Sequence, residues 1–118
     1  MAENKQYITH AQDHGTVLIS EEVIATIAYN SAKDVEGVAA ISAKIGDLSN
    51  IKNWNKALKI TISDNNEISV DCSIVVAYGQ AVILVAKAVQ DSITASIENM
   101  TGIKPVVVNV NVCGIAAQ

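Results

Sequence analysis

Apolar residues recur along this chain with two distinct periods. From Ser20 to Lys33, Val23, Ile24, Ile27, Ala28, Ser31 and Ala32 share one side of a 3.6-residue helix, while Glu22, Thr26, Asn30 and Lys33 fall opposite. This pattern predicts a helix with one buried face. Ser20 is a suitable N-cap, and Glu21 and Glu22 sit at the positive end of the helix dipole. Ahead of it, Gly15 opens the apolar run Thr16-Val17-Leu18-Ile19, which reads as a strand, and Asp34-Val35-Glu36-Gly37 breaks the helix before a second strand at 38–43.

Period two takes over further along. Leu58, Ile60 and Ile62 alternate with Lys59 and Thr61, and Ile68, Val70, Cys72, Ile74 and Val76 alternate with Ser69, Asp71 and Ser73. Asp64-Asn65-Asn66 lies between the two runs, so a β-hairpin is predicted. A long helix at 80–100 follows, stopped by Thr101-Gly102, with Val82, Val85, Val89, Ile93, Ile97 and Met100 as its core stripe. Pro105 leads the last strand, where Val106, Val108, Val110 and Val112 face one way and Val107, Asn109, Asn111 and Cys113 the other.

The predicted order is β-α-β-β-β-α-β. Because each clear strand has one polar face, the expected fold is α+β, a two-layer sandwich with a mixed or antiparallel sheet and both helices on one face. Lys59, Thr61, Ser69, Asp71, Ser73, Asn109, Asn111 and Cys113 would then line the open face. The expected domain is 15–115, with a flexible N-terminal tail at 1–14 and a short C-terminal tail at 116–118. The 118 residues suit one domain with a core that needs no disulfide or metal to fold.

Charge and composition narrow the functions. The net charge is −4, all eight basic residues are lysines, and aromatic residues make up 3%. The bidentate guanidinium used on phosphates and guanine edges is therefore missing. A two-layer domain invites comparison with single-strand RNA modules of the KH type, but no GxxG phosphate clamp is found, and nucleic acid is not expected as a partner. No apolar leader or membrane-length segment is found, so the protein is expected to be cytoplasmic, without direct membrane insertion.

No cofactor or metal is expected. His10 and His14 flank Asp13 at a spacing that would place both imidazoles on one side of a helix, as metal ligation requires, but the stretch reads as tail. Cys72 and Cys113 form no CxxC pair. Cys72 falls on the core face as a small hydrophobe, and Cys113 on the open face is the better candidate for oxidation. Lys59 and Asp71 could meet across the hairpin, either as an acid with its charge partner or as a solvated surface pair.

Two blocks together resemble the alkaline shock protein family of Gram-positive bacteria, also called the Gls general-stress family. The first runs from Gly15-Thr16-Val17-Leu18-Ile19-Ser20-Glu21-Glu22 to Val35-Glu36-Gly37-Val38. The second joins Tyr78-Gly79, Ile97-Glu98-Asn99-Met100-Thr101-Gly102 and Val108-Asn109-Val110-Asn111-Val112. The resemblance implies a small cytoplasmic protein of stress response and cell-envelope homeostasis. It also implies self-assembly, or retention near the membrane by an integral membrane anchor protein. No catalytic activity is implied, and no active-site residue carries over.

The departures from the family pattern matter more. Ile83 and Leu84 stand where polar or proline residues are expected early in the second helix, with Ala88 further on, and Ile83 falls toward Lys87, Gln90 and Thr94 on the wet side of that helix. With Trp54 in the longest loop and Tyr29 on the first helix, they form a candidate protein interface. The leading expectation is thus a non-enzymatic envelope-homeostasis protein that forms homo-oligomers and docks to a membrane-anchor partner. The alternative is a small ligand-binding module or enzyme that uses the open sheet face.

Overall fold

A computed structural model describes residues 7–12, 14–41, 58–65, 67–105 and 107–117. Strands β1 (Tyr7–Gln12) and β2 (Gly15–Ser20) form an antiparallel ribbon that leads into helix α1 (Glu21–Lys33). Then come β3 (Val38–Ile41), β4 (Leu58–Ile62), β5 (Ile68–Ala77), helix α2 (Val82–Thr101) and β6 (Val107–Ala116). The architecture is α+β, and its main sheet is mixed.

Strand β5 is the axis of that sheet. Along one edge it pairs in parallel with β6, which requires a crossover, and α2 supplies it. Along the other edge it pairs antiparallel with both β3 and β4. Ile41 faces Ile74 and Leu58 faces Cys72, two positions apart on β5, so β3 and β4 are halves of one edge interrupted by residues 42–57. The expected loop of that region, with Trp54, lies outside the described residues.

The buried side chains of β4 and β5 follow the predicted alternation. Leu58, Ile60 and Ile62 join Ile68, Val70, Cys72, Ile74 and Val76 in a core cluster completed by Ile24, Ile27, Ala28 and Ala32 of α1 and Val85, Val89, Ile93 and Ile97 of α2. Val75 is also fully buried but stands outside this cluster, next to register irregularities in both neighbouring ladders. Small residues let the helices approach each other, and the Ser92 hydroxyl donates to the Ser31 carbonyl at 3.2 Å.

Helix ends follow local chemistry. The Ser20 hydroxyl accepts from the Val23 amide at 3.3 Å, which satisfies one orphan donor of α1. Gly102 ends α2 in the left-handed region, its amide donating to the Glu98 carbonyl at 2.8 Å. At the hairpin between β4 and β5, the Ser63 hydroxyl accepts from the amides of Asn65 and Glu67, which closes the predicted turn.

Four expectations are corrected. The tail expected over 1–14 contains β1, and Ile8 within it is fully buried in the main core. The polar residues around Ile8 hide this strand, which pairs with β2 and buries Ile8 in the core. The observed order is therefore β-β-α-β-β-β-α-β, and among the described residues the strand at 15–20 pairs only with β1. Met100, assigned to the core stripe of α2, is largely exposed in the last helical turn. Val23 is likewise about half exposed, because it lies at the margin of the α1 stripe.

Candidate interaction surfaces

The sheet register sets the residues assigned to the open face opposite one another. The ladders set Lys59 opposite Asp71 and Asp71 opposite Asn109; Thr61 faces Ser69, and Ser73 faces Asn111. The Asp71 carboxylate accepts from the Asn109 side-chain amide at 2.8 Å. Among the described residues no salt bridge joins Asp71 to Lys59, so the acid on this face is engaged by a neutral amide. Cys113 is exposed, and its thiol donates to the Ile74 carbonyl at 3.3 Å, where the β5–β6 ladder shifts register.

Cys72 points the other way, into the core. Burial, with a smaller contribution from nearby Cys113, pushes its thiol up to about 12. A thiol held so far from ionisation is no nucleophile at neutral pH. The two cysteines thus occupy opposite faces of the sheet, as their strand positions predict.

The second surface surrounds the start of α2. Ile83 is 78% exposed and Leu84 67%, and Ala88 lies exposed one turn beyond Leu84. Tyr78, also exposed, precedes the helix and ties this end to β6 through its amide, which donates to the Ala116 carbonyl at 3.0 Å. The N-cap residue is Ala81, which makes no side-chain cap bond, and the first turn has no acidic residue. These apolar side chains therefore border backbone donors that no N-cap side chain engages.

The remaining candidates lie elsewhere. Tyr29 is half-buried against the core cluster, with the Lys33 ammonium 5.5 Å from its ring centroid. The periodicity placed it on the outer side of α1, whereas its ring folds back toward the core. His10 belongs to strand β1 and His14 to the turn that follows, so the helical spacing required for a shared metal ion is not formed. No cluster of three potential metal ligands occurs among the described residues.

A shallow groove of about 340 Å³ between the helices was not legible in the sequence. Thr26 and Asn30 of α1 line one side and Ser92, Ser96 and Met100 of α2 the other. Met100 in this groove is the core residue that the 3.6-residue pattern misplaced. Only the crossing of the two helices brings these residues together.

No helix among the described residues is long and apolar enough to cross a membrane. Comparison with known proteins gives consistent relatives. Residues 9–117 match the model of the alkaline shock protein 23 family, a family of cell envelope-related function. The uncharacterized protein YqhY of Bacillus subtilis (strain 168) is 32% identical over 111 residues, covering 90% of this chain and 82% of the relative. The uncharacterized protein Spy1614 of Streptococcus pyogenes serotype M6 is 30% identical over 107 residues, 86% of this chain and 88% of that protein. The uncharacterized protein YloU of Bacillus subtilis is 26% identical over 108 residues, at 86% and 89% coverage. No solved structure gives a significant match. From its first strands to its closing Val-Asn-Val strand, this chain belongs to the alkaline shock protein 23 family, whose function is related to the cell envelope.

Proposed function

We propose that this protein serves the cell envelope without catalysing a reaction, by self-assembly and by docking to an integral membrane anchor protein from the cytoplasmic side. The observation that carries this reading is the exposure of Ile83 and Leu84, adjacent apolar residues on a helix whose opposite face is already filled by Val85, Val89, Ile93 and Ile97. Burying both against a protein partner removes a contiguous apolar ridge from water. The family's envelope-related function supports a partner at the membrane. The helix lacks the basic polar face that anionic lipids attract, which favours a protein as the link.

The alternative, a ligand-binding or catalytic open face, has less support. Its acid, Asp71, already accepts from Asn109, and its thiol already donates to the Ile74 carbonyl.

The test is an affinity pull-down of the tagged protein from detergent-solubilised membranes, compared with an Ile83→Glu/Leu84→Glu double variant of unchanged circular dichroism. The reading requires an integral membrane protein that is recovered with the parent chain and lost with the variant. Equal recovery with both proteins would remove the α2 ridge as the docking site.

A further inference from the structure

Strand β6 offers an edge unlike the others. Among the described residues its one strand partner is β5. Natural sheets protect such edges with charges, prolines, breaks or short strands. The opposite edge has these protections, since β3 and β4 are separated by residues 42–57 and β4 carries Lys59. Strand β6 runs for ten residues without a charged side chain, in a chain of net charge −4. The uncharged strands β1, β2 and β3 are six, six and four residues long, so β6 is the longest edge along which two acidic copies can meet without facing charges.

The usable segment is bounded at both ends. Pro105, which has no amide donor, precedes it, and the register shift in the β5–β6 ladder falls at Cys113, its last position. Residues 107–113 read Val-Val-Asn-Val-Asn-Val-Cys, which is close to a palindrome about Val110. An antiparallel pair of identical strands sets each residue against its mirror position. Centred on Val110, the pair would face Asn109 with Asn111 of the second copy on the open side and Val108 with Val112 on the helix side. The helix-side valines of β6 are only partly buried, while Val70, Cys72 and Ile74 opposite them on β5 are fully buried, so a neighbouring strand has apolar surface left to cover. Gln90 of α2 donates to the Val108 carbonyl at 3.1 Å, a contact from an exposed side chain that a backbone donor can replace.

We infer that β6 is the self-association edge of this protein, with residues 107–113 pairing antiparallel with the same segment of a second copy about a two-fold axis at Val110. This inference rests on the self-assembly part of the proposed function. It assigns self-association to the strand and leaves Ile83 and Leu84, at the start of α2, to the membrane partner.

Two measurements test it on the full chain. Asn109→Lys/Asn111→Lys sets like charges face to face across the two-fold. By sedimentation it should self-associate at least about tenfold more weakly than the parent chain. Mixing it with Asn109→Asp/Asn111→Asp should restore a mixed dimer, which a folding defect would not allow. In the second measurement, Val107→Cys places a new thiol opposite Cys113 of the second copy. Positions 107 and 113 of one chain are roughly 20 Å apart along the strand, too far to bridge, so an added oxidant should yield a covalent dimer linked 107 to 113. A parent chain that sediments as a monomer, or a Val107→Cys protein that forms no such link, overturns the inference. If self-association persists in the lysine variant and is lost with Ile83→Glu/Leu84→Glu, the self-contact belongs to α2, and the inference fails while the proposed function stands.

Discussion

Gly37 lies against Val85: a Cβ built on Gly37 would come within 2.7 Å of the Val85 Cγ2, and its backbone φ is +98°. This residue closes the turn after α1 while its carbonyl accepts from the Ala77 amide at 2.8 Å. Gly37 therefore fixes where α1 hands over to β3 beneath the first turn of α2. Gly37→Ala should destabilise the fold by about 3 kcal/mol, combining backbone strain with overpacking. Gly79 has a similar φ of +95° but nothing within 4 Å, so Gly79→Ala should cost only the strain. Urea denaturation of the two variants separates the terms, and equal losses would argue against the Val85 contact.

Ile8 anchors the β1–β2 ribbon. Its side chain is fully buried and belongs to the core formed by α1, α2 and the main sheet. Ile8→Ala should cost about 2–4 kcal/mol, the range for deleting a buried aliphatic side chain. Thr9→Ala, one position on and exposed, should cost far less. Thermal melts of both variants would show whether residues 7–12 fold with the domain.

Cys72 and Cys113 should respond oppositely to a thiol reagent. In the folded protein a single equivalent should react, at exposed Cys113, and Cys72 should react only after unfolding. The same burial makes stability depend on pH. The folded thiol of Cys72 is raised from 9.0 to about 12. Its contribution is thus present in full below the unfolded value and is lost as pH rises, because the unfolded chain releases a proton that the folded chain keeps. From about pH 8 to pH 10, the parent chain should lose about 1 kcal/mol more stability than Cys72→Ala. A parallel pH dependence in the two proteins would contradict the burial of this thiol.

The Asn109–Asp71 hydrogen bond joins β6 to β5 through side chains. Because it is exposed, Asn109→Ala should cost no more than about 1 kcal/mol. A much larger loss, read by chemical denaturation, would mean that this pair supports the β5–β6 ladder as a whole.

The strands of strict alternation were legible residue by residue. Leu58, Ile60 and Ile62 face the core together with Ile68, Val70 and Cys72, because a period of two leaves each side chain one face to choose. The start of α1 was equally plain, since Ser20 and two acidic residues satisfy helix ends by local chemistry. Other features had no local signal. Strand β1 shows no clear apolar period, and the union of β3 and β4 into one edge spans the sixteen positions 42–57.

The sequence by itself determined which faces are apolar and where the helices begin and end, because each depends on neighbours within one or two turns of chain, and it carried the family in two blocks read in order. The tertiary structure alone decided that Ile8 reaches the core, that Met100 lies in the groove between the helices, and that β6 pairs in parallel with β5. These are contacts between segments distant in the chain, and their geometry is set by how twisted sheets and crossing helices fill a shared volume.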